Sequence, residues 1–436
     1  MADHLVPETP QRPESGPAPK PALAAAAQPA ARPGAAAPPE VVPREIKVLI
    51  ASAFVIALGY GLVAPVLPQY AQSFGVGVAA ASVIVSVFAL ARLVFAPGGG
   101  ALITRFGERP IYLTGLVIVA LSTGAAAFAN SYGQLLLFRG LGGVGSTMFT
   151  VSAMGLIVRL SPPGIRGRIS SYYGSAFLIG NIAGPLVGSL LAGWGYRAPF
   201  LIYSVALMIA ATVVAVFLSG ASLRPKPGTI PLPPMTFREA LSDSAYRSAL
   251  VSGFANGWAN FGTRIAVLPL FAAATTGIGA GVAGAGLAVF AGGNALALQA
   301  GGRLVDSSGR KRVLMTGLLI SAAATVTFGY AANLAMFFGL SFVAGAGAGL
   351  LNPAQQACVA DVVGSERNGG KVLAAFQMSQ DVGTITGPIL AGFIADRYGF
   401  GPAFAVTGGV LLVAALAWLP ARETRPVSAP SKKSPR

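Results

Sequence analysis

Four charged side chains sit where charge is costly. Arg92, Arg139, Arg264 and Asp381 each fall inside a run of about 20 mostly apolar residues. A charge in such a run faces a bundle interior or a water-filled cavity and is a functional candidate by default. Asp381 is the only acidic residue placed well within a run. A carboxyl group there can take up and release a proton, with burial and a nearby arginine pulling its affinity in opposite directions. It lies about ten residues from one end of its run, and Arg92 lies about eleven from the end of its own. At ~1.5 Å per residue the two share a depth. Histidine has no part in this chemistry, because His4 is the only one and precedes every run. The single cysteine, Cys358, excludes an internal disulfide and a cysteine-based zinc cluster. No metal site and no cofactor is expected.

The elements that position these residues are long apolar helices. The chain is 54% hydrophobic and 10% charged, where a soluble domain carries about a quarter charged residues. Twelve runs of spanning length lie between about residues 47 and 420, each long enough to cross a ~30 Å hydrocarbon core as a helix. The net charge of +16 is spread through the short breaks rather than gathered on one face. That pattern fits a lipid bilayer as partner and not nucleic acid. With the N-terminus in the cytoplasm, the inside segments hold Arg44 and Lys47, Arg105 and Arg109, Arg159, Arg166 and Arg168, Arg224 to Arg247, Arg303 to Arg312, and Arg367 and Lys371. The outside loops hold only Arg197 and Arg397. Twelve spans with both ends inside satisfy this alternation. The Pro/Ala-rich residues 1–44 read as a disordered cytoplasmic tail. Residues 45–222 read as one six-helix bundle, 223–247 as a cytoplasmic linker, 248–421 as a second bundle and 422–436 as a basic tail.

The two bundles repeat each other at an offset of about 202 residues. Gly61 pairs with Gly262, Gly115 with Gly317, Gly143 with Gly345, and the run at Gly180 with that at Gly383. Two parallel six-helix repeats form an architecture of alternating-access transporters. Glycine-rich stretches at Gly140–Gly145 and Gly279–Gly284 imitate nucleotide loops, but Ser146 stands where a phosphate loop needs lysine and neither stretch joins a strand to a soluble helix. Without a nucleotide site, energy comes from an ion gradient, or transport is passive.

Three motifs now carry a resemblance. Gly100-Ala-Leu-Ile-Thr104-Arg105-Phe-Gly107-Glu108-Arg109 recurs as Gly302-Arg-Leu-Val-Asp306-Ser-Ser-Gly309-Arg310-Lys311. Arg139 precedes Gly142, Gly143 and Gly145. Gly180, Gly184, Pro185 and Gly188 recur as Gly383, Gly387 and Pro388. Over about residues 45–420 the chain resembles the major facilitator superfamily, and its fifth-helix motif resembles the drug:proton antiporter branch. The resemblance implies an all-α membrane fold of twelve helices, a monomer and a bacterial inner-membrane location, which the Ala-, Gly-, Pro- and Arg-rich composition suits. It implies that helices 2 and 11 face each other, so that Arg92 and Asp381 form a pair that holds or breaks with the cycle, a structural ion pair, or, if helix 11 starts later, no pair at all. Arg139 and Asp306 join them as proton-coupling or gating candidates. Helices 1, 4, 7 and 10 line the family's cavity, which nominates Tyr60, Gln69, Tyr70, Thr147, Asn256, Trp258, Asn260, Phe261, Arg264, Asn352 and Gln355. The function implied is proton-coupled export of small organic compounds, with import of a small metabolite, anionic or neutral, as the alternative and a non-transporting receptor or scaffold as a remote one. None of these is an enzyme activity.

Overall fold

The computed structural model describes residues 42–161, 166–218, 233, 235–276, 280–364, 367 and 369–425. The N-terminal tail, most of the linker and the end of the C-terminal tail lie outside the described residues. What remains is helical. Six helical spans come from α1 (Arg44–Val63) continued by α2 (Leu67–Gln72), α3 (Val78–Phe106), α4 (Glu108–Ala126), α5 (Tyr132–Leu160), α6 (Arg166–Leu191) and α7 (Arg197–Phe217). A short helix α8 (Phe237–Ser242) precedes the seventh span, which comprises α9 (Ser244–Asn256), a π-helical segment (Gly257–Thr263), α10 (Arg264–Ala266) and α11 (Leu268–Thr276). Then follow α12 (Ala280–Ser308), α13 (Arg310–Phe328), α14 (Leu334–Val363), α15 (Gly370–Tyr398) and α16 (Phe400–Ala417). Among the described residues nine helices are long and apolar enough to cross a bilayer unaided. The broken seventh span, α6 and α15 complete the twelve, the last carrying Lys371, Asp381, Asp396 and Arg397 along its length.

The seventh span begins at Ser244, four residues before the apolar run suggests. Asp243 caps it, accepting from the Ala245 N–H at 2.9 Å, and a capping box of Thr236 and Glu239 starts α8. Polar caps of this kind extend a helix beyond its apolar stretch.

The repeat seen in sequence is a repeat of contacts. On α6, Gly180, Gly184 and Gly188 lie against the α1 backbone at Phe54 to Leu62, and Pro185 packs on Gly61. On α15, Gly383 and Gly387 lie in the same way against Phe254 and Trp258 of the seventh span, and Pro388 packs on Gly262. A Cβ built on Gly61 would meet Pro185 Cδ at 2.7 Å, and one on Gly262 would meet Pro388 Cδ at the same 2.7 Å. Small residues let helices approach where lipid offers no hydrophobic incentive to associate. The turns repeat as well. Gly107 (φ 84°) and Gly309 (φ 95°) open the third and ninth spans in a conformation that L side chains avoid.

Both described ends of the chain lie on one side of this bundle. There Arg44 stacks on Phe217 at 4.4 Å, Arg109 donates to the Ala215 carbonyl at 2.8 Å, and Lys311 Nζ donates to the carbonyls of Leu419 and Ala421. The second repeat carries a belt of ion pairs on this side. Arg310 Nε bonds Asp361 at 2.9 Å, Glu423 accepts from the Arg310 and Lys311 backbone N–H groups, Arg367 pairs with Glu239 at 3.0 Å and Arg422 pairs with Asp243.

Burial alone would raise the Asp243 carboxyl, but the Arg422 guanidinium and the backbone N–H of Ala245 outweigh it and hold the group below its ordinary range. A carboxylate so depressed stabilises the fold above its unfolded value and loses that contribution as pH falls through the folded one. The melting temperature of the purified protein is therefore expected to drop below about pH 4. Arg422→Gln is expected to lower it at pH 7 and to flatten the acid-side decline, as thermal unfolding in detergent at stepped pH will read.

Candidate functional site

Two long helix pairs dominate the junction of the halves, α3 with α15 and α6 with α12, and α2 and α3 also meet the seventh span. On the side away from the chain ends the halves are tied together. Gln69 Nε2 of α2 donates to the Pro269 carbonyl of α11 at 3.2 Å. The Val78 N–H at the start of α3 donates to Asp396 Oδ1 at 3.3 Å. Ser86 Oγ donates to the Ile385 carbonyl at 2.7 Å, and Gly392 lies against Ser82. On the side of the chain ends, no hydrogen bond or ion pair between described residues joins the two halves. The far side of the junction is thus sealed.

Asp396 closes the seal from across the halves, its carboxylate facing the positive end of α3. Charge at a helix N-terminus stabilises by roughly 0.3–1 kcal/mol. Asp396→Ala is therefore expected to raise far-side opening up to about fivefold. Labelling of Ser86→Cys in a Cys358→Ser background by an impermeant maleimide, supplied from the far side, measures it.

Arg92 and Asp381 lie just past the seal. Arg92 is six residues along α3 from Ser86 and Asp381 four along α15 from Ile385, about 9 and 6 Å respectively. Both are half-buried. Arg92 is the charge that acts on Asp381. The two do not close into an ion pair within 4 Å in this conformation, and Arg92 Nε is buried with no partner.

Arg139 and Arg264 are buried, at 8% and 5% exposure. Neither makes a hydrogen bond or ion pair with a described residue, and both Nε atoms are shut in without partners. Each lies on an aromatic face instead. The Arg139 guanidinium sits 4.5 Å from the Phe88 ring centre and that of Arg264 sits 4.2 Å from Phe290. Phe88 and Phe290 are repeat equivalents, and the carbonyl of each abuts its own equivalent glycine, Gly143 or Gly345. Tyr60 stands beside Phe88 at 6.1 Å between ring centres. A cavity of about 10 Å³ adjoins Arg264, lined by Ala259, Thr263, Thr325, Phe328, Phe404 and Thr407, room for about one water.

The amide candidates form a network within the second repeat. Asn256 Nδ2 donates to Asn352 Oδ1 at 2.9 Å and to Gln355 Oε1 at 3.4 Å, and Asn260 Nδ2 donates to Asn256 Oδ1 at 2.8 Å. Asn260 lies in the π-helical segment and Asn256 just before it, an irregularity that recurs at functional sites. Other candidates are engaged elsewhere. Tyr70 is buried among Phe74, Tyr196 and Phe200 and its hydroxyl faces the carbonyls ending α4. Trp258 donates to Thr407 Oγ1 at 3.3 Å inside the second repeat. Thr147 Oγ1 donates to the Arg92 carbonyl at 3.1 Å, fastening α5 to α3. Phe261 is 46% exposed. Gly302 is open, with nothing for an added Cβ to meet. The side chain of Asp306 lies outside the described residues, as does the surrounding of Gly100.

Sequence reasoning missed Phe88, Phe290, Asp361, Asp396 and Glu423. The two phenylalanines had a signal, since they share one position in the repeat. The acids had none, because their partners lie far along the chain.

The sequence profile of the Major Facilitator Superfamily matches residues 49–273 and again 249–436. The chain belongs to the Major Facilitator Superfamily. Its fold is that group's, twelve helices in two parallel repeats. The quinolone resistance protein NorA of Staphylococcus aureus (strain Mu50) is 32% identical over 175 residues, 40% of this chain and 45% of NorA. Multidrug resistance protein 2 of Bacillus subtilis (strain 168) is 30% identical over 176 residues, 40% and 44% of the two chains. These alignments span under half the length of either relative. Among solved structures, a bacterial homologue of the human lysosomal transporter Spinster, inward-facing and unoccupied, superposes with a TM-score of 0.72 at 16% identity, covering 87% of this chain and 97% of that one. A D-xylose–proton symporter gives 0.69 at 17% identity, covering 87% and 98%. At these identities the likeness is one of fold.

Proposed function

We propose that this transporter exports small organic compounds in exchange for protons by alternating access, as a monomer in a bacterial inner membrane with both chain ends in the cytoplasm. The observation that carries the reading is Asp381. It is the single acid well inside a span, half-buried at the junction of the halves, beside Arg92 and unpaired with it. Protonation removes the charge that Arg92 attracts, so the balance between open and closed contacts follows the proton. Arg139 is a second gating candidate. The Arg-rich segments on the side of the chain ends support a cytoplasmic placement, and the sealed side then faces outward. The similarity to two drug-resistance proteins supports export. A second reading, import of a small anionic metabolite, is favoured by the excess of arginine over acid within the spans.

The test compares cells expressing the protein with empty cells, using ethidium and carboxyfluorescein loaded as its esterified precursor, each with and without a protonophore. Faster loss of either dye from expressing cells, abolished by the protonophore, is the expected result. Equal loss from both cell types, or a faster rise of dye inside expressing cells, sinks the export reading.

A further inference from the structure

Three arginines but one acid lie inside the spans, and two of those arginines share one unusual arrangement. The rings of Phe88 and Phe290 each lie ten residues from the far end of their helices, α3 and α12, so at one depth, about 15 Å in. Each ring carries a guanidinium from another helix, Arg139 from α5 and Arg264 from α10. The helix α3 packs against α5 on the one hand and α10 on the other, so both cations flank the same element, one from each half. We propose that the transported compound carries a carboxylate or comparable anionic group, and that Arg139 and Arg264, each laid on a repeat-equivalent phenylalanine, are the paired cations that receive it.

Both charges are left unanswered among the described residues. A buried guanidinium without an acid keeps a heavy desolvation penalty, and natural interiors pair such groups. Asp381 is the one acid available, and its charged neighbour is Arg92. An aromatic face steadies a cation without neutralising it or occupying its N–H donors. The guanidiniums of Arg139 and Arg264 are thus held in place with their hydrogen-bonding capacity free, which suits the planar, bidentate recognition of a carboxylate. Neighbouring donors agree with this, since the hydroxyls of Thr263 and Thr325 beside Arg264 are buried and lack acceptors. A permanent cation would meet two unanswered positive charges at this level and would be repelled. One half contributes each arginine, so an anion bridging them would favour a conformation in which the halves close around it.

The inference deepens the transport reading and rests on it for the word "transported"; binding is tested separately. Purified protein is titrated against carboxyfluorescein and against rhodamine 123, which share a xanthene ring system and differ in charge, with fluorescence anisotropy as readout. Flux of carboxyfluorescein is then followed in proteoliposomes. The anion is expected to bind at least tenfold more tightly than the cation, and Arg264→Gln and Arg139→Gln are each expected to weaken it tenfold or more. Phe290→Leu, which keeps the charge, weakens it only a few-fold. Each variant is scored only if it elutes as the wild type does in size-exclusion chromatography, so that one misfolded variant leaves the other two decisive. Equal or tighter binding of the cation, or undiminished anion binding by every folded arginine variant, overturns the proposal. Anion binding that needs both arginines, without flux, upholds the site and removes the transport reading instead.

Discussion

Asp381→Asn is expected to abolish protonophore-sensitive dye efflux, to the level of empty cells, while downhill exchange of the same dye in proteoliposomes stays within a few-fold of wild type. The reason lies in what the substitution keeps. Asparagine retains the size of the side chain and its capacity to hydrogen-bond, so the packing of α15 on α3 and on the seventh span is undisturbed. It removes only the alternation between a charged group, drawn to Arg92, and a neutral one that is not. A ligand or proton shifts a conformational equilibrium only by as much as it distinguishes the two states. Without a titrating group at the junction, rocking proceeds but no longer follows pH. The pH dependence of exchange is the decisive measurement. Wild type is expected to show one and Asp381→Asn none, with Arg92→Gln shifting it because the carboxylate loses its attracting charge. A variant that retains uphill efflux places proton coupling elsewhere.

Gly184→Leu is expected to prevent recovery of folded protein, and Gly387→Leu to do the same from the other repeat. A Cβ at Gly184 would come within 2.8 Å of Gly61 Cα and closer still to the Leu58 carbonyl. One at Gly387 would come within 2.7 Å of the Trp258 carbonyl. In both cases the obstruction is backbone, which cannot swing away as a flexible side chain can, so α1 must part from α6, or the seventh span from α15. Overpacking a dense interior costs typically ~1–3 kcal/mol, and displacing two backbones along a shared face lies at or above the upper end of that range. Gly174→Leu in the same helix is the control, since an added Cβ there meets nothing within 4 Å. Fluorescence-detected size-exclusion of detergent extracts should show a monodisperse peak for wild type and Gly174→Leu and its loss for the other two. Recovery of all three would mean that the glycine-proline motif serves something other than close packing.

Taken together, these two tests separate roles that sequence motifs blend. The fifth-span motif reads equally as a signature of antiport and as a packing face. Its recurrence on α15, with the same proline against the same kind of glycine, favours packing in both halves. The ninth-span turn shows the reverse case. There the basic pair Arg310 and Lys311 reads as a topology signal, yet in the fold it anchors the second repeat through Asp361, Glu423 and the carbonyls of α16's end.

What the sequence by itself determined are the properties that depend on length, composition and order. Apolar runs of spanning length give twelve helices, because in hydrocarbon a chain must satisfy its backbone hydrogen bonds within itself. Glycines recurring at a fixed offset give two parallel repeats, and an even number of spans puts both described ends on one side. The few charges inside the runs mark the region of interest, because each is expensive there. The tertiary structure alone decided what each of those charges faces. Helix rotation follows from glycine contacts between segments some 120 to 130 residues apart, such as Phe54 with Gly180 and Phe254 with Gly383, and no local pattern encodes it. Rotation places Tyr70 and Trp258 inside their own halves, lays Arg139 and Arg264 on Phe88 and Phe290, and sets Asp396 against the start of α3. Arg92 and Asp381 share a depth that the sequence foretells, but whether they touch depends on how α3 and α15 lie against each other, which no local pattern encodes.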